Sequence, residues 1–298
     1  MSSFTVLSCV TAALALAACA PRSADRQIAA DTAYLVATVT GLSGPEAVRY
    51  DPQQDVYFVA NFNGRSDALD NNGFISRVQP DGTIENLQFI TGGRGDATLH
   101  APRGMVIAGD TLWVADVDAV RGFHRRTGAS IANVDFSGRD VGFLNDIARA
   151  VDGSLYVTDT GRNRIYRING RTISVALEDS TLNRPNGITW DAAAGRMIVV
   201  PYGGRQTHLG WRPGQSNTEV AATVPGGRFD GVEIVGGRIL VASQSDSSLW
   251  SVQSGQAVRV TRTTGAPADI GVDTRRKRVA VPYISLNRVD LYQLPRGW

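Results

Sequence analysis

A short phrase recurs six times along this chain, and the recurrence constrains the fold more than any other feature. A polar residue opens a short apolar strand, a turn follows, and a strand of the Leu-Tyr-Val-Thr-Asp or Leu-Trp-Val-Ala-Asp kind comes next. A third strand, often rich in arginine and aromatics, leads into a fourth, more exposed one. The openings are Pro45-Glu46-Ala47-Val48, Pro102-Arg103-Gly104-Met105, Leu144-Asn145-Asp146-Ile147, Pro185-Asn186-Gly187-Ile188, Phe229-Asp230-Gly231-Val232 and Pro267-Ala268-Asp269-Ile270. Counted between the second residues of successive openings, the intervals are 57, 42, 41, 44 and 38. Second strands keep the same beat, at 56–60, 111–116, 154–159, 196–201, 238–243 and 278–283. Four strands per unit of about 40 residues are the mark of a propeller blade.

The two ends complete the count. After Ala268 there are strands for only three members of a sixth blade, the last at 288–294. An unassigned strand at 34–39 precedes the first opening. Placed as the outer strand of blade six it closes the ring and removes exposed sheet edges. The expected fold is therefore all-β: a six-bladed propeller of four-stranded blades spanning residues 34–298, with no second domain. Composition agrees, because 32 glycines and 43% apolar residues suit a turn-rich β protein with a sizeable core. A net charge of +2, with arginines and acids interspersed, gives no basic stripe for nucleic acid. Lys277 is the sole lysine, a bias read as a property of the coding genome rather than of function.

The N-terminus reads as an export signal. Residues 4–18 form an apolar run too short to span a bilayer, ending in Leu16-Ala17-Ala18-Cys19. Small residues directly before a cysteine resemble the lipobox of bacterial lipoproteins, in which the cysteine becomes the lipidated first residue. The resemblance implies a signal peptide at 1–18, lipidation at Cys19 and a linker to residue 33. It also implies a lipid-anchored protein at the periplasmic or outer-membrane face. Met1-Ser2-Ser3 departs from the pattern in lacking Lys or Arg. With Cys9 and Cys19 the only cysteines, no disulfide is available to the propeller itself.

Each opening residue begins an innermost strand, so Glu46, Arg103, Asn145, Asn186, Asp230 and Ala268 are expected at one end of the channel. Two carboxylates and two amide oxygens form the oxygen-only set that calcium prefers. No histidine or thiol is among the six, which argues against zinc or copper. Two insertions, at 61–72 and 91–102, are expected to rise on the same face as the channel mouth. His100, three residues before Arg103, is the histidine best placed for proton transfer. His124 and His208 fall on outer strands.

The phrases Pro-Glu-Ala-Val, Leu-Asn-Asp-Ile, Arg-Pro-Asn-Gly-Ile and Phe-Asp-Gly-Val resemble those of a known propeller family. It comprises senescence marker protein, gluconolactonase and paraoxonase, with squid-type diisopropylfluorophosphatase. The resemblance covers 34–298 and implies a catalytic calcium held by Glu46, Asn145, Asn186 and Asp230, with Asp230 as general base or nucleophile. In some members the residue matching Asn145 contacts substrate more than metal. Arg103 and His100 would then bind a small lactone or ester. Paraoxonases carry a histidine where this chain has Arg103, and an acid for a second calcium where it has Ala47. Asp146 reads as a turn or supporting group, and Asp269 could take the place of Ala268 if the register slips by one.

A second reading stays open. Residues 143–168 also resemble an NHL repeat, whose propellers often serve as noncatalytic platforms for ligands or proteins. There Asp159, Gly161 and Asn163 build a turn and the channel residues stiffen the ring. A strictosidine-synthase-like enzyme lacks a persuasive acidic motif here.

Overall fold

The structure, a computed structural model, describes residue 1, residues 32–204 and residues 206–298. The proposed export signal and Cys19 lie outside the described residues. Among the described residues, twenty-four strands assemble into six four-stranded sheets, each strand antiparallel to its neighbour. In blades one to five the strands run in chain order from the axis outward. Blade six takes its outermost strand, Tyr34–Val39, from the other end of the chain, paired with Arg288–Gln293. The ring is closed as the repeat count requires.

Closure is also visible in the core. Six clusters of buried apolar side chains lie one at each interface between neighbouring blades, the blade six to blade one interface included. Val39, Leu42 and Val48 pack there with Ala280, Val289 and Leu291. Apolar residues on both faces of the second strands serve two interfaces at once, which is why Val56–Asn61 is buried at every position.

What positions the channel residues is a repeated irregularity. Regular pairing of the inner and second strands breaks between Pro45 and Ala47, Leu144 and Ile147, Pro185 and Ile188, and Phe229 and Val232. A bulge that sets two residues against one locally re-aims the side chains it contains. Glu46, Asn145, Asn186 and Asp230 all sit in such bulges. In blades two and six the inner strand begins later, at Met105–Ala108 and Gly271–Asp273. There the opening backbone also pairs sideways: Arg103 and Ala268 N–H donate to their own second strands, while Gly104 N–H donates to Asn145 O and Asp269 N–H to Glu46 O. Glycine after the opening residue makes this crowding possible. A Cβ at Gly187 would come within 2.1 Å of the Asp230 carbonyl oxygen, and one at Gly231 within 2.3 Å of Ile270 N.

A second device repeats at the ends of the second strands of blades one, two, three and five. Asn61, Asp116, Asp159 and Ser243 accept backbone N–H groups from the segment entering their own blade's inner strand. This accounts for the aspartate of the Leu-Tyr-Val-Thr-Asp phrase, which braces a loop.

Candidate active site

Glu46, Asn145, Asn186 and Asp230 line one cavity of about 300 Å³ at the axis. Each is only 4–5% exposed. The residue following the second strand joins them in five blades: Phe62, Thr160, Tyr202, Gln244 and Ile284. Ser66, from the first insertion, and Phe143 complete one wall. The second insertion packs behind the first, through Asn71 Oδ1 accepting Leu99 N–H and His100 Nδ1 accepting Asn71 N–H.

The hydrogen bonds orient oxygen, not nitrogen, into this space. Thr160 Oγ1 donates to Pro185 O at 2.6 Å and accepts from Asn145 Nδ2 at 3.0 Å. That engages the Asn145 amide nitrogen and leaves Oδ1 as its free end. Gln244 Nε2 donates to Asp230 Oδ2 at 2.7 Å, leaving Asp230 Oδ1 without a partner. Glu46 Oε2 is equally buried and unpartnered. Unpaired buried carboxylate oxygens are costly, and two facing one cavity mark a place built for a cation or a proton. Desolvation, with the nearby charges of Asp230 and Asp146, pushes Glu46 well above the ordinary carboxylate range despite the opposing pull of Arg103. Burial and the Asp146 charge push Asp230 up to about 7, against the amides of Asn186 and Gln244.

Arg103 and His100 do not line the cavity. The Arg103 guanidinium turns between the rings of Phe143 and Phe62, 3.8 and 5.8 Å from their centroids. It donates to the carbonyls of Leu144 and Ser66, so it ties the first insertion to blade three. Burial lowers it to about 10, still cationic at neutral pH, and its charge acts on Glu46 from behind the wall. His100 belongs to a group with Asp116 and Asp118 whose ligand-type atoms lie within 4.8 Å of one another. This is a possible metal-binding triad, but its acids already have a cation: Arg121 donates to Asp116 at 2.7 Å and to Asp118 at 2.6 Å. Asp116 also accepts the backbone N–H groups of His100, Ala101 and Val117. His208 is buried, T-stacked on Phe229 and held down to about 3 by desolvation.

Deeper in the channel lies a second set of acids. Arg49 pairs with Glu233 and stands 3.8 Å from Asp269. Asp146, the residue after Asn145, accepts the N–H groups of Ile147 and Ile188 at 2.7 and 2.8 Å, joining blades three and four. Ala268 is buried and turns no polar group inward, whereas Asp269 has two buried, unpaired oxygens.

The cavity mouth carries features that sequence reasoning did not reach. Arg184 and Arg228 occupy the same repeat position, two residues before Asn186 and Asp230, and both have left-handed backbones, at φ 63° and 48°. Blade one meets the same demand with Gly44, at φ 60°. A bulky residue there costs roughly 1–2 kcal/mol. Their guanidinium groups lie 5.1 and 5.0 Å from the Tyr202 ring centroid.

The fold is shared with solved enzymes at low sequence identity. A gluconolactonase from Xanthomonas campestris superposes with a TM-score of 0.70 at 20% identity, covering 90% of this chain and 93% of that one. A putative gluconolactonase gives 0.68 at 16%, over 88% and 92%. A streptogramin B lyase gives 0.63 at 12%, over 88% and 98%. No protein-family model matches the sequence, and no curated protein matches it. The six-bladed, four-stranded propeller that the resemblance implied is thus the fold of gluconolactonases, and a lyase superposes on it with a lower score.

Proposed function

We propose that this chain is a divalent-cation-dependent hydrolase of lactones or related esters, with calcium as the cation, anchored at the cell envelope. One observation carries the reading. Four oxygen-bearing side chains from four blades line a single cavity, and Glu46 Oε2 and Asp230 Oδ1 are buried there without partners. The donor set fits calcium, which takes carboxylate and amide oxygens and leaves positions for water and substrate. When bound, calcium would supply electrophilic stabilisation of the charge that develops on a carbonyl oxygen under attack.

The chain's own residues would do the rest. Glu46, Asn145, Asn186 and Asp230 would hold the cation. Asp230, fixed through Oδ2 by Gln244, would take the proton of an attacking water. Phe62, Phe143 and Ile284 would exclude water from the apolar side of the substrate. A lyase reading has less support. A histidine-to-alanine variant of virginiamycin B lyase is described as catalytically inactive, and no histidine lines this cavity among the described residues.

A lactone and ester panel tests the proposal, run after chelation and after calcium is restored. Activity should require the cation, and Asp230→Asn should lower it about 10²–10⁴-fold. Turnover unaffected by either change would refute the assignment. A melting temperature that ignores both chelation and calcium would favour an empty, noncatalytic platform.

A further inference from the structure

The mouth of the cavity sets two positive charges on one aromatic ring. Arg184 and Arg228 are exposed, and both guanidinium groups lie over the ring of Tyr202, a residue of the cavity wall. Arg228 Nη2 donates to the Tyr202 hydroxyl at 2.6 Å, the hydroxyl donates to Gln244 Oε1 at 3.3 Å, and Gln244 holds Asp230. The rim is therefore connected to the proposed base by three hydrogen bonds. Among the described residues neither arginine has a carboxylate within ion-pairing distance, so both charges at the rim are free of an internal counter-ion. The guanidinium of Arg184, itself a cavity-lining residue, also donates no hydrogen bond there.

The backbone strengthens the case. Both residues hold a left-handed conformation that Gly44 adopts at the matching position of blade one without side-chain strain. Strain kept by bulky side chains at one repeat position, twice, and beside a cavity, calls for a functional reason. Aromatic stacking restrains each planar fork before any ligand arrives, and such forks match carboxylate and phosphate oxygens.

We infer that Arg184 and Arg228, aligned on Tyr202, form an anion-recognition rim that selects substrates carrying a carboxylate or phosphate away from the bond that is cleaved. The inference rests on the hydrolase reading and narrows its substrate class. The anionic group would dock at the blade four and five rim, with the scissile carbonyl reaching Asp230 deeper in the cavity. Acids on the cavity floor would repel an anion from any other approach unless the cation is present.

The experiment compares matched lactones, one bearing a free carboxylate, one a phosphate and one a neutral methyl ester. It uses the calcium-loaded protein and an Arg184→Gly/Arg228→Gly variant. Glycine suits the left-handed backbone, so the variant should fold, with a melting temperature no lower than that of wild type. Wild type should favour an anionic lactone over the neutral one at least 10-fold, through KM rather than kcat. The variant should lose that preference, and high salt should weaken it in wild type. Which anion gains more tells carboxylate from phosphate recognition. Equal use of charged and neutral lactones by wild type, or a preference that survives in the variant, overturns the inference. If no lactone is cleaved at all, the hydrolase reading fails separately, and calorimetric titration with glutarate and with inorganic phosphate decides the rim. Binding that the variant loses supports it; no binding, or equal binding to both proteins, overturns it.

Discussion

Two groups of acids share one channel and solve the same electrostatic problem differently. At the mouth, Glu46 and Asp230 are accompanied by two amides and leave one carboxylate oxygen each unpaired. Below them, Asp146, Asp269 and Glu233 are accompanied by a guanidinium, Arg49, and by backbone N–H groups. The lower group brings its own cation as part of the chain. The upper group has Arg103 nearby, but that guanidinium is turned away onto two carbonyls and two aromatic rings. Buried charge is tolerated when it is paired. The difference teaches that the lower layer carries a cation of its own, although both Asp269 oxygens lack a hydrogen-bond donor, whereas the acids of the mouth have none turned toward them.

The sharpest way to break this comparison is to remove the built-in cation. Arg49→Met should strand two buried acids, Asp146 and Asp269, and the partly buried Glu233, and cost about 3 kcal/mol, the lower end for a broken buried pair because Arg49 and Glu233 keep some exposure. A domain of this size loses about 2–4 °C of melting temperature per kcal/mol, so thermal unfolding should shift by roughly 10 °C. Calcium-dependent turnover, measured below the new transition, should survive. If stability holds and the calcium response disappears instead, the two layers are one electrostatic unit.

Changes in pH should separate the layers next. Asp230, raised to about 7, and Glu46, raised well above its ordinary range, bind protons in the folded state that the unfolded chain has released. Metal-free stability should therefore fall as pH rises from about 4 to 7, the opposite of a salt-bridged carboxylate. Asp146, raised to about 6 chiefly by burial, adds to the same fall. A calcium ion bound at the mouth would have to displace those protons, so its stabilising effect should grow over that window. At 100 times its dissociation constant it would contribute about 2.7 kcal/mol. Melting curves from pH 5 to 7.5, with calcium and with chelator, check this. Glu46→Gln should flatten the calcium-dependent part, and Asp146→Asn should leave it in place. Parallel curves with and without calcium at every pH would count against a cation at the mouth.

The ring and its quartet were legible because both depend on spacing. A period of about 40 residues places Glu46, Asn145, Asn186 and Asp230 at one level of the channel whatever their rotamers. Arg103 shares that spacing, yet its long side chain leaves the axis for Phe62 and Phe143, a choice made by packing that no interval records. His100 was placed near the mouth by its insertion, but its ring serves the contact between the two insertions. The wall positions Phe62, Thr160, Tyr202, Gln244 and Ile284 obey the same period. They were missed because five different residue types share no chemistry to flag. Arg184 and Arg228 stay hidden for another reason, since a left-handed backbone at a non-glycine residue has no sequence signature.

The smallest effect probes how the mouth differs from a merely polar pocket. Thr160 touches no proposed reacting atom, yet its hydroxyl bonds the Pro185 carbonyl and the Asn145 amide together. In Thr160→Val the shape is kept and both bonds are lost, which should cost about 1 kcal/mol of stability. Asn145 would then be free to turn its nitrogen toward the cavity. If its oxygen belongs to the cation, calcium should bind about 10-fold more weakly, as when other groups that orient ligands are lost. If that oxygen meets substrate instead, KM should rise while the calcium midpoint stays where it was. A calcium titration beside a KM measurement separates the two, and Thr160→Ser, which keeps the hydroxyl, should restore whichever quantity moved. Should neither quantity move, Asn145 serves only to join blades three and four, and the mouth holds its cation with three side chains.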